Sequence, residues 1–166
     1  EEVREMIGLA DRSRVLDLFS LIMEGNASSA LNELSSQYAD GADPIIIIKE
    51  LAEITHWISV VKISPNTADD PTVTNDERDR GLKFSTSLSM RSLTRMWQML
   101  LKAIEEVSSA PNAMMAAEMA IIRLTHVADL PSPEELIKKI QNDPNPPSPI
   151  GNNTSIDANN SANIAP

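Results

Sequence analysis

Apolar positions recur at helical spacing along most of the chain. Val15, Leu18, Phe19 and Ile22 share one face of a first helix, which Asp11 or Ser13 can cap and Gly25-Asn26 ends. A second helix follows, with Ala27, Ala30, Leu31, Leu34 and Tyr38 on one face, and Asp40-Gly41 stops it. Asp43-Pro44 opens a third with a cap and a first-turn proline. Its start, Ile45 to Ile48, has the composition of a buried strand. The pattern continues through Leu51, Ile54, Ile58 and Val61, far longer than a strand lasts, so one long buried helix from Pro44 to Ile63 is predicted.

Ser64 to Asn75, SPNTADDPTVTN, reads as a loop, and Asp76 to Phe84 as a short polar helix. Leu88 to Val107 is strongly amphipathic, with Leu93, Met96, Trp97, Leu100, Leu101, Ile104 and Val107 on its face. The next segment, SSAPNAMMAAEMAIIRL from Ser108 to Leu124, is expected to start at Ser109 as N-cap with Pro111 in the first turn. Two apolar stripes run along it. Met115, Met119 and Ile122 form one; Met114, Ala117, Ile121 and Leu124 form the other. A helix apolar over that much of its circumference is either central in its own domain or pressed against a second protein. Ser132, Pro133 and Glu135 then make a capping box for a last helix to about Gln141. From Asn142 onward Asn, Pro, Ser and Ala dominate without a positive charge, the composition of a disordered linker. The expected architecture is all-α, a compact bundle of six or seven helices with a disordered C-terminal tail.

Composition narrows the function. With 14 Lys and Arg against 24 acids, the formal net charge is −10, which argues against direct nucleic-acid contact and for a protein partner. Cysteine is absent, removing disulfides, thiolate metal sites and a cysteine nucleophile, and fitting a cytoplasmic setting. No apolar run approaches a membrane span. The start at Glu1 rather than Met points to a piece of a longer protein.

No residue pattern carries catalysis, cofactor or metal binding. His56 has no second ligand three or four residues further along and His126 has only Asp129, which makes no metal set, and each reads as a partly exposed or core-edge histidine. Glu105-Glu106 and Glu134-Glu135 are adjacent on helices and point apart. Asp69-Asp70 lacks the alternating ligand spacing of a calcium loop, and the five glycines form no phosphate loop. Trp97 is assigned to the core, while for Trp57 core and interface both stay open. The Met114, Met115, Met119 set either fills a core or forms an adaptable binding surface. Trp57, Met114, Met115 and Met119 are therefore the candidate interface residues.

Several segments carry a family resemblance. VREMIGLADRSRVLDLF at Val3 to Phe19, LAEITHWISVVK at Leu51 to Lys62, LTRMWQMLLKA at Leu93 to Ala103 and APNAMMAAEMAIIRL at Ala110 to Leu124, in this order, resemble the third domain of the gamma/tau subunit of the bacterial DNA polymerase III clamp loader. The resemblance spans about Val3 to Leu136, and its most family-like piece is EMAIIRL at Glu118 to Leu124. It implies a collar, or oligomerisation, domain at residues 11–141, with residues 1–10 ending a lid domain and residues 142–166 opening a Pro-rich linker. It also implies that the full subunit carries an N-terminal ATPase domain using ATP and magnesium, outside this stretch. The partners implied are other clamp-loader subunits, with self-association of the same chain among the options, in DNA replication. The loop from Ser64 to Asn75 is longer than the family pattern leads one to expect. The residues alone leave open a different reading, a helical module that docks a partner helix on a Met-rich surface.

Overall fold

The computed structural model describes residues 11–128 and 133–142. Seven α-helices lie among the described residues, and no strand does: α1 Arg12–Met23, α2 Ala27–Ala39, α3 Pro44–Ile63, α4 Asn75–Ser87, α5 Met90–Ser109, α6 Ala113–Ala128 and α7 Pro133–Asn142. The chain divides into two units, Glu1–Leu130 and Pro131–Pro166, and α7 belongs to the second. The expected lid-domain end, the Ser132 cap and the expected linker after Asn142 lie outside the described residues. No described helix is long and apolar enough to cross a membrane.

Local chemistry sets the helix starts. Asp11, Asn26, Asp43 and Ser89 each accept a backbone N–H of the first turn through the side chain. Gly25 and Gly41 end their turns at φ of 73° and 100°, the left-handed region that glycine enters without a Cβ penalty. Three starts differ from expectation, and one is α5, which begins at Met90 behind the Ser89 cap rather than at Leu88. Ser109 does not cap α6; it is the last residue of α5, and its hydroxyl donates back to Glu105 O at 2.9 Å. Asn112 takes the cap, its side-chain oxygen accepting Met115 N–H at 3.0 Å. The polar helix α4 starts at Asn75, one residue earlier than expected, where Thr74 and Glu77 form a reciprocal capping box, and it runs on to Ser87. Within the Ser64 to Asn75 loop, Pro65–Asp69 winds as a 3-10 turn.

The long helix α3 is the axis of the first unit and packs on α1, α4, α5 and α6. Ile47, Ile48, Leu51, Ile54, Ile58 and Val61 are fully buried. From α1 come Val15, Leu16, Leu18, Phe19 and Ile22; from α5, Leu93 and Leu100; from α6, Ala117, Ile121 and Leu124. Phe19 meets Phe84 of α4 edge to face, ring centroids 5.1 Å apart. The face of α2 is rotated from the expected one: Ala30 and Leu34 are buried, but Gln37 takes the inner position and Tyr38 is exposed. Gln37 is held there because its amide nitrogen donates to Arg14 O at 3.1 Å and to Glu33 Oε1 at 2.9 Å. Helices α5 and α6 pack on each other across the short link at Pro111, clasped by Arg123 and Glu106, whose Nη1 to Oε1 distance is 3.1 Å.

Candidate protein interface

Helix α6 separates its two stripes. Ala117, Ile121 and Leu124 enter the core, with Met114 half-buried beside them. The other stripe points outward: Met115 is 62% and Met119 56% exposed, with Ile122 half-buried below. The two readings of the methionines thus apply to different residues. Glu118 lies within the outward stripe and makes no ion pair among the described residues, since Arg123 is committed to Glu106.

A second apolar surface lies between α3 and α5. Trp97 is 36% exposed, not core as its spacing suggested, and Leu101 is 44% exposed. The reason is angular. The buried residues of α5 are Leu93, Met96, Leu100, Ala103 and Val107, and they fill the inward arc. Trp97, Leu101 and Ile104, at i, i+4 and i+7, fall on the shoulder beside it. They face Lys49, Ala52, Glu53, His56 and Trp57 of α3 across an open groove of about 730 Å³. His56 is exposed, its ring centroid 6.0 Å from that of Trp97. His126 is exposed too, with Nδ1 2.8 Å from Ile122 O. Among the described residues no three His, Asp or Glu side chains are grouped to hold a metal ion.

Trp57 is half-buried because α4 offers it a seat. Glu77, Gly81 and Ser85, one turn apart, are the buried positions of α4. A Cβ placed on Gly81 would overlap Cη2 and Cζ3 of the Trp57 ring and stand 3.1 Å from Cζ2, so only glycine admits the indole. Lys62 Nζ donates to Ser85 O at 2.8 Å and fixes the far end of the same helix pair. At the groove end, Arg12 bridges three helices. Its Nε lies 2.8 Å from Glu77 Oε1, and its Nη1 lies 3.3 Å from Glu50 and 3.9 Å from Glu53. Burial, followed by repulsion from Glu53, pushes the Glu50 carboxyl above its ordinary value of 4.5, against the pull of Arg12.

The four candidate residues fall in three separate places. Trp57 lines the α3–α5 groove; Met114 lines a different cleft with Tyr38, Pro44 and Pro111; Met115 and Met119 stand together on the outward face of α6. Sequence reasoning missed Trp97, Leu101 and Ile104 as one wall of a groove. The available signal was the breadth of the α5 apolar arc, wider than one core face requires.

A family model described as DNA polymerase III subunits gamma and tau domain III matches residues 1–140. The chain belongs to this family. It is 25% identical over 121 residues to the DNA polymerase III subunit tau/gamma of Haemophilus influenzae, an alignment that covers 73% of this chain and 17% of that protein. This gamma/tau domain III chain therefore spans under a fifth of the length of that relative, and the match accompanies the all-helical fold with two outward apolar surfaces.

Proposed function

We propose that this chain is the subunit-assembly, or collar, domain of a DNA polymerase III clamp loader, holding ATPase subunits together for sliding-clamp loading in the cytoplasm. The observation that carries the reading is the exposure of Met115 and Met119 on a helix whose other stripe is core. A single helix with one buried and one outward apolar stripe has surface for a neighbour to cover. The role requires no catalytic group, cofactor or metal from these residues. ATP and magnesium are assigned to the ATPase part of the longer subunit. With a net charge of −10, contact with DNA is assigned to other parts of the assembly.

The test is molar mass by light scattering over a concentration series, for the chain alone and mixed with the other clamp-loader subunits. Discrete multiples of the protomer, or a defined mixed complex, are expected. A chain that stays monomeric alone and in every mixture refutes the assembly role. The groove with two tryptophans favours a second reading, a module that docks a partner helix. Saturable binding of an amphipathic peptide helix by a chain that joins no clamp-loader subunit would select that reading instead.

A further inference from the structure

The sulfur chemistry of this chain belongs to thioethers alone, because it has eight methionines and no cysteine. A thiolate, which would otherwise react first with an oxidant, is therefore absent. Seven of the eight methionines lie among the described residues. Met96 is 4% exposed in the core, and Met23, Met90, Met99 and Met114 are half-buried. Met115 and Met119 alone among the seven are exposed, and they stand one turn apart, about 6 Å along α6.

Their setting keeps an oxidation local. A sulfoxide oxygen is a strong acceptor, and inside a core it is a buried polar atom without a donor. At Met115 and Met119 water supplies the donors. The Met115 backbone N–H is already bonded to the Asn112 side chain, and Ala117, Ile121 and Leu124 hold the helix to the core from its other side. The pair can thus change polarity without a change of fold.

Resting on the assembly reading, we infer that Met115 and Met119 form a redox modification site, at which oxidation by a peroxide closes the outward face of α6 to its neighbour in the assembly. The lone pair of each sulfur attacks one oxygen of hydrogen peroxide. The S–O bond forms as the O–O bond breaks, and the proton on the attacked oxygen passes to the departing one, which leaves as water. Each sulfur loses two electrons and each peroxide gains two. The product replaces a flexible apolar thioether with a polar group that resists leaving water. A neighbour seated on the face covers both sulfurs, so the unassembled chain is the reactive form. Reduction of the sulfoxides by methionine sulfoxide reductases reopens the face.

The experiment has two arms. In the first, the full 166-residue chain is treated with limiting hydrogen peroxide, and each methionine is followed by peptide mapping with mass spectrometry. Met115 and Met119 are expected to gain oxygen ahead of Met23, Met90, Met99 and Met114, and about tenfold faster than Met96, with the helical circular dichroism unchanged. In the second, the chain oxidised at both positions is titrated against the other clamp-loader subunits, with association read by light scattering. Association is expected to weaken about tenfold or more and to return after reductase treatment. Met115→Leu with Met119→Leu keeps the face apolar and removes its sulfur. That double variant is expected to associate like the native chain and to ignore the same peroxide treatment.

The inference is overturned if any of the other five described methionines reacts as fast as the pair, or if helix content falls as the pair is oxidised. It is also overturned if the oxidised chain associates as tightly as the reduced one, or if the double leucine variant loses association to peroxide as the native chain does. A reduced chain that joins no subunit refutes the assembly reading and the switch with it, while the peptide map still decides by itself where the chain is oxidised.

Discussion

Replacing Gly81 by alanine tests how Trp57 is held. Gly81 is the seventh of thirteen residues of α4, an interior position where alanine favours the helix by about 1 kcal/mol. Against that gain stands the overlap of the new Cβ with the benzo edge of Trp57. An indole is rigid, so the whole ring must tilt or α4 must lift off α3, and overpacking of this kind costs about 1–3 kcal/mol. Two ring carbons fall inside contact distance, which places the cost in the upper part of that range. The expected balance is a net loss of about 1–2 kcal/mol in urea unfolding followed by circular dichroism. The same substitution in a Trp57→Ala background meets no ring and should stabilise by about 1 kcal/mol. Alanine at position 81 therefore changes sign with the residue at position 57, a coupling that a double-mutant cycle reads directly. A stabilising effect in the native background, or an equal effect in both backgrounds, would refute the seat as the reason for glycine here.

Three further outcomes follow from the geometry. Asn112→Ala should cost about 1 kcal/mol as a lost N-cap while Ser109→Ala stays within about 0.5 kcal/mol, measured as urea midpoints; the reverse order would return the cap to Ser109. Arg12→Met leaves Glu50, Glu53 and Glu77 facing one another and should destabilise by about 1 kcal/mol, kept small because the arginine remains partly in water. The deficit should shrink in high salt, and a salt-independent loss would point to packing instead. Glu50 has a folded value raised above 4.5, so in the window above 4.5 the folded chain keeps a proton that the unfolded chain has released, and stability falls as pH rises through it. Glu50→Gln should match the native chain below that window and exceed it at neutral pH; a variant less stable at neutral pH would show that the Arg12 bond outweighs burial.

The helices were legible because capping residues and periodicity agree. Asp11, Asp43 and the Gly25 and Gly41 stops each act as their residue types require. The length of the helical pattern settled the isoleucine run as helix. What the sequence did not reveal is which of several apolar positions on a broad arc lie inward. On α5 the period places Met96 and Trp97 on adjacent positions, and only the approach of α3 decides that Met96 is covered and Trp97 left at the rim. On α6 the same uncertainty had two answers, Met114 turned toward a cleft and Met115 outward. Gly81 gave no local signal either, because a lone glycine in a polar helix announces neither a turn nor a cradle. Its meaning depends on a tryptophan 24 positions away, brought there by α3 packing on α4.

The groove and the stability of the first unit therefore share residues. Trp57 forms one side of the groove only while Gly81 keeps α4 close to α3, and Arg12 closes the groove end only while Glu77 holds the start of α4. Helix α4 is the most polar helix of the first unit, and its buried positions are Glu77, Gly81 and Ser85 rather than large apolar side chains. Its attachment rests on the Trp57 seat, the Arg12 and Lys62 bonds, the Arg80 bonds to Asp17 and Ser13 of α1 and the Phe19–Phe84 contact. Little apolar burial of its own makes α4 the element of the unit that opens most readily. Amide exchange should accordingly be faster in α4 than in α3 or α6. A partner that fills the groove rests against the ring that α4 supports, so association should slow exchange in α4 although no α4 residue other than those near Arg12 need touch the partner. Protection confined to α3, α5 and α6 would separate the two properties and show that the groove keeps its shape without α4.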